Sequence, residues 1–406
     1  MRRPSQQHPI LLLLLPALIA CHGKDAVPGS PHETTPDLCP HIRLLDLDQD
    51  AARRSGEPGQ HEWWNFFAQD RASGLGISTI FLDGNMFDVD YRVALERHRA
   101  DPASHPPPDP SDYRLLQLNV HKDDRKLFSS IKLPPGAASE FDTARPYGRV
   151  GQSWFEGRQE GGERVWRVHI DSPDMFNLRR LEADLEYRDA SHAFTVAHGG
   201  FFAPVPGGEA SGIHFAVASP VVQGRVRITD RRGRITLDEE LSGGGHVDHI
   251  FGRFTCDLAC SYYFGRVVLE GAGEIVYFHH YFRDPETAPH GWLVRIPTDG
   301  QMPRAHAITE VLESSPARGA FGLDYHEAIE IILDEGGTVR VFMERTPASE
   351  DWPFQITGAG RFYVDIPGDI RVEGAPGMAE YGYLDGLDNP LFRFLFSLMD
   401  RFPWFP

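Results

Sequence analysis

The sequence predicts an all-β fold, and three observations carry that expectation. Short runs of β-branched and aromatic residues recur along most of the 406-residue chain. Turn signals rich in Gly, Asp and Asn separate them. Convincing helical periodicity is confined mainly to Pro390 to Phe402, where a short C-terminal helix is expected. The predicted strands are Leu75 to Asp83, Arg164 to Ile170, Ile213 to Val217, Gly224 to Ile228, Arg234 to Leu237, Arg266 to Leu269 and Glu274 to Tyr281. Between them lie Asp83-Gly84-Asn85, Glu160-Gly161-Gly162, Arg232-Gly233 and Gly271-Ala272-Gly273. Asp101 to Pro110 carries Pro106-Pro107-Pro108 and reads as an insertion loop, because proline cannot donate to a central ladder. Many short strands with regular turns lead to barrels or sandwiches, in one long or two shorter β-domains.

The start of the chain is expected to stand outside the fold. Arg2 and Arg3 form a basic start, Ile10 to Ile19 an apolar run, and Leu18-Ile19-Ala20-Cys21 closes it. That is the pattern of a secretory signal peptide over residues 1–20. The leucine three residues before Cys21 resembles a bacterial lipobox, so lipidation of Cys21 and a lipid anchor at a membrane surface are expected. An ordinary signal peptide with an incidental cysteine is the alternative. By resemblance to bacterial lipoproteins, His22 rather than Asp after the cysteine points to the outer membrane and the periplasmic face of the cell envelope. Residues 21–60, rich in Pro, Gly, Asp and Thr, read as a flexible tether with some ordered turns. Losing Arg2 and Arg3 makes the chain two units more acidic than its formal charge of −18. Such a charge argues against nucleic acid as a partner. In an oxidising compartment Cys39, Cys256 and Cys260 could pair, in a combination the sequence leaves open.

Chemistry concentrates between Ser242 and Arg266. Gly243, Gly244 and Gly245 run into His246, Asp248 and His249, and Phe264-Gly265-Arg266 follows. On a strand His246 and Asp248 share one face while His249 takes the other. A buried carboxyl in apolar surroundings keeps its proton toward neutral pH, so Asp248 is a candidate acid. Protonation of an isolated alkene, followed by capture of a tertiary cation by water, needs such a group. A sheet-end salt bridge is the structural alternative. Gly-x-Ser-x-Gly, P-loop and dinucleotide patterns are missing, which disfavours the usual hydrolases and nucleotide enzymes. Cys256-x-x-x-Cys260 has no second ligand pair at zinc spacing, so no metal and no cofactor are expected.

Gly245-x-x-Asp248-His249-x-Phe251-Gly252, followed by Phe264-Gly265-Arg266, resembles the family of carotenoid 1,2-hydratases, also called hydroxyneurosporene synthases, with lipocalin-like hydratases and Diels–Alderases among its relatives. Two further islands agree: Glu62-Trp63-Trp64, and Gly377-Met378-Ala379-Glu380-Tyr381 followed by Leu384-Asp385 and Asn389-Pro390-Leu391. The resemblance implies two tandem lipocalin-like β-barrels, over residues 61–243 and 244–406, and an apolar isoprenoid, carotenoid or lipid as ligand. The resemblance implies that the favoured proton donor is the acid the family carries at position 278; on a hydratase reading of this chain Asp248 takes over that role, His249 orients the proton or the water, and Trp63 or Trp64 and Tyr277 shield a cation. His246, Arg266, Glu62 and Phe278 complete the expected ligand site, with Glu62 either pairing Arg266 or lying at a rim. Glu380 and Tyr381 are expected to latch the last strand, and His214, Arg225 and Arg227 to face solvent or the domain junction. The chain departs from the family at Phe278, where hydratases carry Asp, and at Ile250, where Asn is usual. Two functions stay open on this reading: acid-catalysed hydration of a C=C bond, and carriage of a lipid or polyene without chemistry. A cyclase-like activity that works by folding its substrate is a third.

Overall fold

The structure is a computed structural model. It describes residues 41–388 apart from 54–57, 86–87, 124, 133–138, 175–177, 190–191, 197–211, 219, 253–258, 270–271, 284–285, 287, 299–300, 346–348 and 353–354. Cys21, Cys39, Cys256 and the predicted helix of Pro390 to Phe402 lie outside the described residues.

Two antiparallel sheets make up the described fold. In the first, hydrogen-bonded neighbours follow the order Arg125–Lys132, Leu115–Lys122, Leu75–Asp83, His61–Asp70, Ile235–Gly252, Val221–Asp230, Arg179–Asp189, Glu163–Pro173, Ser153–Glu160, Tyr147–Val150 and Ser139–Phe141. A branch leaves Ile235–Gly252 through Gly212–Val217 and Phe194–Val196 to Ile42–Leu44. The second follows Thr338–Glu344, Asp324–Leu333, Arg304–Arg318, His290–Ile296, Gly273–Phe282, Ala259–Leu269, Ile370–Tyr383 and Gln355–Ile366. Gln355–Ile366 pairs back to Thr338–Glu344 and closes an eight-stranded barrel. This is an all-β architecture of tandem lipocalin-like sheets, the first a half-barrel and the second closed.

Alternation explains why these segments are strands. In His61–Asp70 the buried Trp64, Phe66 and Ala68 turn inward, where they pack with Phe81, Phe155, Trp166 and Tyr187. Burying each large side chain contributes about 1.5–3 kcal/mol. Inside the second barrel Tyr263, Val267, Ile275, Tyr277, Leu293 and Phe362 form a separate core. A third cluster joins the two sheets, with Phe194, Ile213, Phe215 and Ile250 from the first and Val276, Phe278, Trp292 and Val294 from the second.

Two features were not read in the sequence. Val89–Ala100 is an α-helix, started by Asp88, whose side chain accepts from the Tyr91 N–H at 2.9 Å. Its signal was this capping aspartate before a run of helix-favouring residues that ends in Arg97 and Arg99. Part of the segment read as a tether is also folded. Ile42–Leu44 pairs with Phe194–Val196, and Leu47–Asp50 forms a 3-10 turn. Three-residue strands show too little periodicity to be seen without their partners.

The glycine run has a steric cause. Ile235–Gly252 is one continuous strand of the first sheet, so residue 243 lies inside it and the change of sheet comes after Gly252. A Cβ on Gly243 would lie 2.0 Å from the Gln69 carbonyl oxygen, and one on Gly245 2.1 Å from that of Phe67. At Gly244 the nearest atom is 3.9 Å away. Gly245→Ala is therefore expected to destabilise by about 1–3 kcal/mol through overpacking. Gly244→Ala should stay within about 1 kcal/mol of the parent, and urea midpoints of the two variants check the contrast.

Candidate proton-transfer site

Period-two geometry on Ile235–Gly252 places two buried networks on opposite faces of one strand. His249 turns into the half-barrel, where Trp64 stacks on it with ring centroids 4.6 Å apart and planes 11° from parallel. Its Nε2 lies 2.7 Å from Glu62 Oε1, and its Nδ1 3.4 Å from Asp50 Oδ1. His214 Nδ1 meets the same Asp50 oxygen at 2.8 Å. The Trp64 indole N–H donates to the Asp50 carbonyl at 3.0 Å, and the Arg53 backbone N–H donates to both Glu62 oxygens at 3.0 and 2.8 Å.

Burial works against the Asp50 carboxylate. Hydrogen bonds and charge from His214 and His249 overcome it and hold the group well below the usual range. For His214 burial wins and lowers the ring to about 4. For His249 burial is outweighed by its bonds to Asp50 and Glu62, and the ring is raised.

Asp50, His214 and His249 offer three ligand-type atoms within 4.8 Å of one another. Arg53 decides how they are used. Its Nη2 lies 3.0 Å from His214 Nε2, and its guanidinium carbon sits 3.6 Å from the Phe251 ring centroid. A guanidinium only donates, so His214 Nε2 accepts and its Nδ1 carries the proton toward Asp50. The lone pair a metal would need is taken, and a cation already stands beside the ring. The cluster fits a proton-holding network.

Asp248 faces the other way, toward the junction of the sheets. Arg266, from the second barrel, donates from Nη1 to Asp248 Oδ2 at 2.8 Å and from Nη2 to Glu274 Oε2 at 2.7 Å, with a further bond from Nε to Glu274 Oε1. His246 Nε2 stands 3.5 Å from Asp248 Oδ2 and its ring stacks on Phe67. Burial raises the Asp248 carboxyl against the opposing pull of Arg266. Burial also raises Glu274, with the charge of Asp248 adding to it. One guanidinium serves two buried acids, so the triad favours keeping a proton. Burial, then Arg266, pushes His246 well below its ordinary value, which leaves that ring neutral.

No protein-family model matches the chain. A curated relative from Chlorobaculum tepidum, named hydroxyneurosporene dehydrogenase, is 23% identical over 353 residues, 83% of this chain and 86% of the relative. Among solved structures, kievitone hydratase from Nectria haematococca superposes with a TM-score of 0.53 at 12% identity, over 84% of this chain and 94% of that one. The AttH protein of Nitrosomonas europaea gives 0.52 at 16% identity, over 86% and 99%. Those two likenesses establish the fold. Together with the curated relative, they make the chain similar to hydroxyneurosporene-type and hydratase proteins of lipocalin-like fold.

The residues singled out in the sequence separate into three places. Asp248, His246, Arg266, Trp63 and Phe278 face the junction. His249, Glu62 and Trp64 line the half-barrel interior. Tyr277 lies in the core of the second barrel, its ring over Gly265, with an Oη that has no hydrogen-bond partner among the described residues. Three expectations are corrected. Glu62 does not pair with Arg266: the two stand on opposite faces of the first sheet, and Arg266 binds Asp248 and Glu274. His249 does not reach the proton of Asp248 or a water beside it, because neighbouring residues of a strand point apart and His249 binds Glu62 inside the half-barrel. His214 faces neither solvent nor the junction but binds Asp50 inside the half-barrel.

Other expectations have a clear counterpart. Glu380 accepts from Tyr262 Oη at 2.6 Å and Thr357 Oγ1 at 3.2 Å, in keeping with a latch on the last long strand. Arg225 and Arg227 lie outward and pair with Asp238. Cys260, one of the three cysteines that could pair, donates to the Tyr281 carbonyl at 3.4 Å, while Cys39 and Cys256 lie outside the described residues, so their pairing stays open. Sequence reasoning missed Asp50, Arg53 and Glu274 as site residues. Glu274 had a signal, an acid opening the apolar run Ile275-Val276-Tyr277-Phe278; Asp50 and Arg53 had none.

Proposed function

We propose that this hydratase-like lipocalin adds water to a C=C bond of an apolar isoprenoid or polyene at the junction of its two sheets, with Asp248 as the proton donor. One observation carries the reading. Asp248 is buried, its Oδ2 is held by Arg266, and its Oδ1 has no hydrogen-bond partner among the described residues, beside an apolar cluster of Ile213, Phe215, Ile250 and Phe278. Asp248 would give its proton to one alkene carbon and leave a tertiary cation. Trp63, the tryptophan of the pair on this face, would shield that cation through its indole ring. Water adds to the cation and returns a proton to Asp248, so that alkene and water yield an alcohol. The names of two similar proteins, hydroxyneurosporene dehydrogenase and kievitone hydratase, support this reading. Lipidation of Cys21 would hold the protein at the periplasmic face of the bacterial envelope, close to apolar substrates.

A second reading rests on Phe278. It packs into the junction where the family carries an acid, which favours carriage of the same ligand without chemistry. The test is incubation of the purified protein with an acyclic carotenoid in ¹⁸O-labelled water, followed by mass spectrometry. The expected product is one labelled water heavier, and Asp248→Asn is expected to lower its rate by about 10²–10⁴-fold. A bound carotenoid recovered unchanged would select the carrier.

A further inference from the structure

We infer that Asn65 is the positioning residue that holds the attacking water beside Asp248; this rests on the hydration reading above. His61–Asp70 pairs with Ile235–Gly252 so that Asn65 lies directly opposite Asp248. Such partners share a face, with Cβ atoms about 4.5–5.5 Å apart. Each keeps a buried oxygen with no hydrogen-bond partner among the described residues, Asp248 Oδ1 and Asn65 Oδ1. Once Asp248 has given up its proton both are acceptors, and two acceptors cannot satisfy each other. One water, with two hydrogens to donate, can satisfy both.

Successive cross-strand rows show where that water would stand. On one side Phe67 lies opposite His246 and stacks on it. In the middle row Asn65, Asp248 and Phe215 run side by side. Next to it come Trp63, Ile250 and Ile213, wholly apolar. A water between Asn65 and Asp248 therefore borders the row on which an olefin can lie. The amide of Asn65 neither gives nor takes a proton at neutral pH, so its part is to orient. Once Asp248 has protonated the alkene, the water donates one hydrogen to Asn65 Oδ1 and the other to Asp248 Oδ1. Its lone pair attacks the cation, the C–O bond forms, and the second proton passes to Asp248. The acid is restored. Asn65 thus supplies, from the adjacent strand, a hydrogen-bonding amide on the face where Ile250 has none.

The experiment runs the full-length protein with an acyclic carotenoid in D₂O and counts two products by mass spectrometry: the alcohol, and olefin recovered with deuterium. The second forms when the cation loses a proton before water adds. Asn65→Leu is expected to lower the alcohol-to-deuterated-olefin ratio on the order of 10²-fold while deuterium uptake continues. Asn65→Ser, which keeps a hydroxyl to hold the water, should give an intermediate ratio. Circular dichroism and melting establish that each variant is folded, and the serine variant serves if the leucine variant is not. An unchanged ratio in a folded variant would overturn the assignment, as would parallel loss of both products. A wild-type protein that neither hydrates nor exchanges would instead remove the hydration reading, and the role of Asn65 with it.

Discussion

Arg266→Met is expected to destabilise the protein by about 3–5 kcal/mol, the cost of leaving a buried charge without its partner. Arg266 is 5% exposed and is the cation bonded to both Asp248 and Glu274, which are 2% and 3% exposed. Methionine fills much of the arginine's volume, so the loss reads electrostatics more than packing. It leaves two acids side by side, each driven toward protonation. Asp248 belongs to the first sheet and Arg266 to the second, so this triad is also a charged tie between them. Neutralising all three positions, as Arg266→Met with Asp248→Asn and Glu274→Gln, should recover most of the stability, because a buried ion cluster costs nearly as much to desolvate as it returns. The urea midpoints of the parent, the single variant and the triple variant check this. A single variant within about 1 kcal/mol of the parent would mean that solvent reaches the triad.

The second large effect is loss of stability on acidification between about pH 6.5 and pH 4. Burial lowers His61 to about 3, and His214 and His279 to about 4, and it holds His246 well below 6.5. An unfolded chain binds these protons near pH 6.5. In that window the unfolded state therefore carries more protons than the native one. Stability rises with pH and is lost as pH falls, by up to about 1.4 kcal/mol per group per pH unit. Some groups run the other way. His249 is raised, so its contribution is present below 6.5 and is lost as pH climbs through its folded value. Asp248 and Glu274 are raised and also favour the native state at lower pH. Asp50 is depressed, and its contribution persists until pH falls through a value far below this window. The four lowered histidines set the expected sign of the slope. Urea midpoints at pH 7.5, 6.5, 5.5 and 4.5 should fall steadily, and His214→Gln should flatten the slope.

Much of the architecture was legible in the sequence because strand formation is written locally. Leu75–Asp83 has the predicted bounds, and turns at Gly161, Gly162 and Gly233 use positive φ, which glycine adopts without strain. Trp63 and Trp64 take opposite faces, as adjacent residues of a strand must. The site was less legible. His214 sits in the run Ile213-His214-Phe215-Ala216-Val217, where a histidine among apolar residues hints at burial but not at a partner. Asp50 lies in a segment with the composition of a linker, and nothing nearby shows that it receives two histidines.

The sequence by itself determined the β class of the chain, the turns that divide it, and the opposition of Asp248 to His249 across one strand. Each depends on backbone stereochemistry over a few residues. Only the tertiary structure decided that Arg266 answers Asp248, that Glu62 answers His249, and that Asp50 gathers His214 and His249 from 164 and 199 residues away. Those partners follow from the order and register in which distant strands pair. That order is chosen by the burial of whole faces, a property of the assembled sheets rather than of any segment within them.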